Sequence, residues 1–313
     1  MSAAPSRAND LKPTPSPISG PQALVKDNLT GILWMLVSTL CLAGMHTIIH
    51  HVSNTVHPFV TVFFRLLFAL FVVIPFFVRA GPSPLRTGRL WMLTLRGVLN
   101  FAAMLCFFTA LSLSPLADVT ALSFTAPLFA TLLAVLILKE RIGWRRVMAI
   151  VIGFIGTLIV LRPGFVEIGL GYGLVLTAAV FWAACVIIIK DLGRTESAAT
   201  ITTYMSLVMA PLALIPALFV WSWPSLTDFG WLVALGLLGG CGQLAVSQAL
   251  RKADTHVVMP FDFVRLIWVS LTGFIFFAEV PDIFVWVGGA VIMSSTAYIT
   301  WREHRRKAAL TVD

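Results

Sequence analysis

The sequence predicts an all-α integral membrane protein of ten transmembrane helices, arranged as two inverted five-helix repeats. Three observations predict it. The 313 residues are 58% hydrophobic and only 12% charged, whereas a soluble domain carries about 25% charged residues. The apolar residues gather in ten segments, most of them near the roughly 20 residues that cross a bilayer core, with short polar stretches between. Finally, residues 110–140 (ALSLSPLADVTALSFTAPLFATLLAVLILKE) can be laid without a gap over residues 249–279 (ALRKADTHVVMPFDFVRLIWVSLTGFIFFAE). Both blocks open on Ala-Leu and close on a glutamate, Glu140 and Glu279.

The elements follow in order. Residues 1–28 are rich in proline and serine and contain no apolar run, the composition of a disordered tail rather than of a cleavable signal peptide. The spans read 30–50, 58–77, 90–111, 116–138 and a short fifth at 147–161, which together make a first repeat, 29–163. The second repeat, 164–302, holds spans 169–189, 199–221, 229–249, 255–277 and 283–301, and residues 303–313 form a basic tail. Corresponding spans share landmarks. Gly31 matches Gly171, the stretch from Arg65 to Pro75 resembles that from Ser206 to Pro216, and Gly156 falls opposite Ser295. Pro260 removes a backbone hydrogen bond and kinks the ninth span, while the fourth keeps a proline at Pro127. Gly153, Gly156, Gly288 and Gly289 let helices approach closely.

Charge placement sets the orientation. Of 22 lysines and arginines, 18 lie in the tails and in the loops after even-numbered spans, one (Arg162) follows an odd span, and three lie inside spans. The positive-inside rule then places both termini in the cytoplasm, as an even number of crossings requires. Five crossings per copy turn the second copy upside-down relative to the first. Glu140 accordingly falls in a basic loop, and Glu279 in a loop without lysine or arginine. The net charge of +8 is thus topological and not a nucleic-acid surface. Cys41, Cys106, Cys185 and Cys241 are scattered singly through apolar segments, so neither a disulfide framework nor a metal site is indicated. No phosphate-binding loop or catalytic constellation is present, which argues against an enzyme and implies no cofactor.

Charges inside a membrane usually face a cavity or one another. Arg65 in the second span and Arg265 in the ninth both fall near mid-depth at 1.5 Å per residue, and Asp262 precedes Arg265 by one turn. Two readings stand: the arginines hold a substrate carboxylate or phosphate, or Asp262 and Arg265 form an internal pair while Arg65 binds helix-end carbonyls. Arg96 and Asn100, one turn apart in the third span, and Gln243 in the eighth are further candidates to line the path, with Arg96 alternatively snorkelling to the interface. Trp182, Tyr204 and Phe261 are candidates to stack on a planar ligand group, with core packing or interfacial anchoring as the alternative. His46 and His50 read as interfacial residues facing water, with a metal pair or proton relay as the alternative. Asp118 reads as a helix cap or a group in interfacial water.

Ten spans in two halves, with the tract APLFATLLAVLILKERIGWRRVMAIVIGFIGTLIVLRPG closing the first, resemble the EamA-type branch of the drug/metabolite transporter superfamily over nearly all of residues 29–302. Within it, LTGILWMLVSTL, RGVLNFAAMLCFFTALSLSPLADVTALSFTAPLF and ADTHVVMPFDFVRLIWVSLTGFIFFAEVPD are most similar to bacterial S-adenosylmethionine uptake transporters. The resemblance implies a secondary transporter of the bacterial inner membrane that moves a small organic metabolite by alternating access, with S-adenosylmethionine or a related amino-acid derivative as substrate. Its partners would be that substrate and the lipid bilayer, with no nucleic acid. Two alternatives remain open at this point: a proton-coupled exporter of amino acids or other metabolites, riboflavin and metallophores among them, and a non-transporting membrane scaffold or enzyme.

Overall fold

The computed structural model describes residues 28–80, 87–138, 143–163, 169–192, 195–196, 198–253 and 255–310. Residues 1–27 of the tail predicted at 1–28 and the glutamate Glu140 lie outside the described residues, and Asn28 opens the first helix. Helices α1 (Asn28–Val52), α2 (Pro58–Ala80) and α3 (Leu90–Leu113) open the first half. Then come α4 (Leu116–Ser123), α5 (Ala126–Leu138) and α6 (Trp144–Leu161), followed by α7 (Leu170–Leu192), α8 (Ala198–Phe219) and α9 (Leu226–Lys252). The chain closes with α10 (Thr255–Val258), a 3-10 segment (Met259–Phe263), α11 (Val264–Phe277) and α12 (Ile283–Leu310). Helices α4 and α5 together form the fourth predicted span, and α10, the 3-10 segment and α11 form the ninth. Seven stretches among the described residues are long and apolar enough to cross a membrane, and three shorter apolar helices, Pro58–Phe71, Val147–Leu161 and Leu207–Phe219, bring the total to ten. Helix α12 runs on to Leu310, so residues 303–310 are helical.

The principal helix pairings are exchanged with one another when the two halves are swapped. Helix α1 packs on α9 and α7 on α3; α2 meets α9 as α8 meets α3; α5 lies on α7 as α11 lies on α1. The pairs α2–α8 and α6–α12 map onto themselves. This is the arrangement expected of two copies of one five-helix unit.

Helix–helix contact in lipid depends on close packing, because lipid tails are as apolar as the side chains they would cover. The α6–α12 crossing shows how close it becomes. A Cβ on Gly288 would lie 2.6 Å from the Gly156 carbonyl oxygen and 2.6 Å from a Val160 methyl, so only glycine allows that approach. Outward-facing residues such as Leu33, Trp34, Val37 and Leu40 on α1, or Phe274, Ile275 and Phe276 on α11, are exposed and suited to lipid. The opposite face of α1 carries buried Ser38, Thr39 and His46.

Candidate functional site

Both halves break one span at the same aligned position, and the breaks meet. In the first half, α4 stops at Ser123. Pro127 has no N–H to give the Ser123 carbonyl, and its ring crowds that turn. The chain there tightens into 3-10 bonds, Phe124 N–H to the Ala121 carbonyl at 3.2 Å and Thr125 N–H to the Leu122 carbonyl at 3.0 Å. The hydroxyls of Ser123 and Thr125 take the Thr120 and Leu122 carbonyls, each at 2.7 Å. In the second half, Pro260 starts the 3-10 segment before α11, which fulfils the expectation of a kink there. The ungapped alignment sets Phe124 opposite Phe263, and these two rings pack at 5.9 Å.

Charge is held at that junction. Arg265 Nη2 donates to Asp262 Oδ2 at 3.0 Å, and its guanidinium carbon lies 4.9 Å from the centre of the Phe124 ring, within cation–π range. Arg65 approaches from α2. A Cβ on Gly239 of α9 would lie 3.4 Å from Arg65 Nε and 2.9 Å from Met45 Sδ, so glycine at this position leaves the guanidinium room. Among the described residues no carboxylate pairs with Arg65, and its Nε has no hydrogen-bond partner.

His46, only 2% exposed, sits within electrostatic reach of both Arg65 and Arg265. Its ring meets Phe107 edge-on at 5.0 Å, and Phe107 lies 5.2 Å from Trp182. The interfacial reading of His46 is therefore corrected. The signal was present in the sequence, since His46 lies seven residues from Thr39 and shares its face of α1, opposite the exposed apolar residues. Three buried nitrogens in this region lack partners: Arg65 Nε, Arg265 Nε and His46 Nδ1. A buried donor left unpaired costs about 1–3 kcal/mol. Together with ring faces at Phe107, Phe124 and Trp182, the two guanidinium N–H donors suit a planar molecule bearing acceptor oxygens.

The other candidates are placed differently. Arg96 is buried and its Nη1 donates to the Ile201 carbonyl of α8 at 3.2 Å, so it braces two helices instead of snorkelling. Asn100 Nδ2 points at the sulfurs of Met209 (3.1 Å) and Met205 (3.8 Å), also on α8. Neither joins the Arg65–Arg265 group through a described contact. Gln243 is exposed, yet it lies one turn from Gly239 on the α9 stripe that meets α2.

A second polar group closes the face formed by the loops after odd-numbered spans, and most of its contacts join the two halves. Glu279 accepts the Leu116 N–H at 3.0 Å, at the start of α4, and lies 3.3 Å from His50 Nε2. His50 Nδ1 faces the Leu111 carbonyl at 2.5 Å, so both ring nitrogens meet acceptors and the expectation of a water-facing His50 is also corrected. Asp118 accepts the Tyr172 hydroxyl at 2.7 Å and is 7% exposed; the N-cap of α4 is Pro115, so Asp118 is not that cap. Arg162 donates to Asp282 at 2.6 Å and covers the Phe284 ring at 5.0 Å. The Phe284 N–H and then the Arg162 guanidinium hold the Asp282 carboxyl below the usual carboxylate range. Arg162 and Ala278, the two non-glycine residues with positive φ (44° and 55°) among the described residues, both end helices at this face. Sequence reasoning missed Glu279 and Tyr172 as contact residues, although the first ends the repeated block and the second adjoins its landmark Gly171.

On the opposite, basic face the halves are tied by Arg89, which pairs with Asp191, and by Thr87, which donates to Glu196 at 2.6 Å.

Comparison with known proteins places this arrangement. The model of the EamA-like transporter family matches twice, over residues 29–162 and 169–301. The S-adenosylmethionine uptake transporter of Rickettsia prowazekii (strain Madrid E) is 30% identical, over 90% of this chain and 96% of its own. The riboflavin transporter of Vibrio cholerae serotype O1 is 32% identical, over 89% and 95% of the two chains. The pseudopaline exporter of Pseudomonas aeruginosa is 27% identical, over 84% and 93%. A solved crystal structure, 22% identical, shares the fold with a TM-score of 0.59 over 89% of this chain and 96% of that one. Two matched repeats, ten apolar helices and relatives that are transporters along their whole length lead to one conclusion: the chain is a multi-pass membrane transporter and belongs to the EamA-like transporter family.

Proposed function

We propose that this transporter carries a small zwitterionic amino-acid derivative of the S-adenosylmethionine type across the bacterial inner membrane, with both termini in the cytoplasm. The halves 29–163 and 164–302 would act as the two moving bodies of alternating access. The observation that carries this reading is Arg65, a guanidinium within a span, set against Gly239 and near His46, with no carboxylate partner among the described residues. A carboxylate offers the paired acceptors that a guanidinium fork fits. Arg265 is already partly neutralised by Asp262, so Arg65 makes the first contact and Arg265 the second. Phe107 and Trp182 supply faces for a planar ring such as adenine. Riboflavin carries no charge and would leave Arg65 unneutralised, which favours the amino-acid derivative.

Counterflow into proteoliposomes preloaded with unlabelled S-adenosylmethionine tests this reading. The parent protein should accumulate labelled S-adenosylmethionine. Arg65→Gln should lower uptake by about 10-fold or more, because a hydrogen bond to a charged group contributes about 1.5–3 kcal/mol. Equal uptake by the variant, or exchange of riboflavin alone, contradicts it.

A further inference from the structure

We propose a second ligand site at the odd-loop face, a vestibule that binds the ammonium or sulfonium group of a small organic cation. A cavity of about 330 Å³ opens there, bounded by α4, α7, α11 and residues 279–282. Its size is at the lower end of small-molecule sites, enough for the charged end of a metabolite.

The charged groups of every bounding element set its sign. Asp118 comes from α4, Glu279 and Asp282 from the segment after α11, and Arg162 from the end of α6; Tyr172 adds a hydroxyl from α7. His50 of α1 faces Glu279 from behind. Three carboxylates thus face one arginine and one histidine, so the balance is negative even with His50 protonated. The carboxylates are not used up. Asp118 gives one oxygen to Tyr172, and no described hydrogen bond uses the other.

An independent observation points to a ligand. Ser270 of α11 lines the cavity, is only 6% exposed, and its Oγ has no hydrogen-bond partner. A serine hydroxyl within a helix usually returns to a carbonyl of the preceding turn, as Ser247 does to Gln243 at 2.9 Å. Ser270 instead keeps an acceptor for an N–H or a polarised C–H. Among the described residues no three His, Cys, Asp or Glu side chains converge to hold a metal ion, so the separated carboxylates suit a diffuse organic cation. Val269, which also lines the cavity, is one turn from Arg265 along α11, about 6 Å at 1.5 Å per residue. The vestibule therefore sits next to the arginine site with the opposite sign of charge, and shares no residue with it.

Titration of the purified full-length protein in nanodiscs with butylammonium chloride, followed by thermal shift, tests the site. Butyramide, of equal length and neutral, and sodium chloride at matched concentration serve as comparisons. Butylammonium should raise Tm in the parent and in Arg65→Gln alike, while butyramide and sodium chloride do not. Asp118→Asn should weaken the apparent Kd about 10-fold. Ser270→Ala, which removes one hydroxyl and no packing contact, should weaken it about 3-fold and serves if Asp118→Asn fails to fold. Equal stabilisation by butyramide, or parent-like affinity in both vestibule variants, overturns the proposal. Loss of the response in Arg65→Gln would move the cation to the central site and overturn it too. Failure of S-adenosylmethionine counterflow would leave these readings unchanged.

Discussion

Replacing Gly288 by alanine tests the packing that holds the scaffold around the site. The new Cβ would lie 2.6 Å from the Gly156 carbonyl oxygen, 2.6 Å from Val160 Cγ2 and 3.0 Å from the Val160 nitrogen. Carbon contacts settle at about 3.5–4.0 Å, so α6 and α12 must part by about 0.9 Å. Two of the three obstacles are backbone atoms, which no rotamer change can move. Overpacking costs about 1–3 kcal/mol, and the rigid contacts put this case at the upper end. Better helix propensity of alanine returns about 1 kcal/mol, which leaves a net loss of about 2 kcal/mol. At about 2–4 °C per kcal/mol, Tm in detergent should fall by about 4–8 °C. Gly173→Ala is the control, because a Cβ there meets nothing within 4 Å, and its Tm should hold or rise. Substrate affinity should not change in either variant. A Gly288→Ala protein as stable as the parent would refute close backbone packing of α6 on α12.

Two further predictions separate structural from ligand-binding charges. Arg96→Met should lower stability by about 1.5–3 kcal/mol, by removing the charged hydrogen bond that ties α3 to the Ile201 carbonyl of α8, yet keep substrate Kd within about twofold; a tenfold weaker Kd would put Arg96 in the substrate path. Asp282 titrates below the usual carboxylate value in the folded protein, so its contribution is complete above the unfolded-state pKa of about 3.9 and is lost as pH falls through the lower folded value. The Tm difference between parent and Asp282→Asn should therefore stay constant from about pH 7 to about pH 5 and shrink below about pH 4. A difference that persists unchanged to about pH 3 would show that the carboxylate makes no such contacts.

Much of the fold was legible because membrane crossing imposes a crude and repeated pattern: apolar length, loop charge, and small residues at crossings. Pro260 announced the break in the ninth span. Pro127 was noticed as a retained proline, but the break it makes at Ser123–Thr125 depends on hydroxyls capping the freed carbonyls, and that pairing does not show in a hydropathy pattern. Mid-depth arginines were readable from position alone; Arg65 and Arg265 both lie within electrostatic reach of His46, and Asp262 pairs with Arg265. Arg96 and Asn100 show the limit. A polar residue at depth must meet something, but sequence does not say whether that is a ligand or the neighbouring helix α8. His46 and His50 were misjudged because distance from a span end was taken as a measure of exposure, and the contacts of Glu279 were missed. In a bundle of inverted halves, the start of one broken helix sits beside the end of the other, and Glu279 reaches the Leu116 N–H across that join.

The central claim is that Arg65 receives the carboxylate of the substrate. Equilibrium binding of S-adenosylmethionine and of its carboxyl methyl ester, each to the parent and to Arg65→Gln, forms a cycle that isolates this contact. The account predicts that the parent prefers the acid over the ester by about 10-fold or more, and that Arg65→Gln binds the two within about twofold. The same preference in both proteins would contradict it.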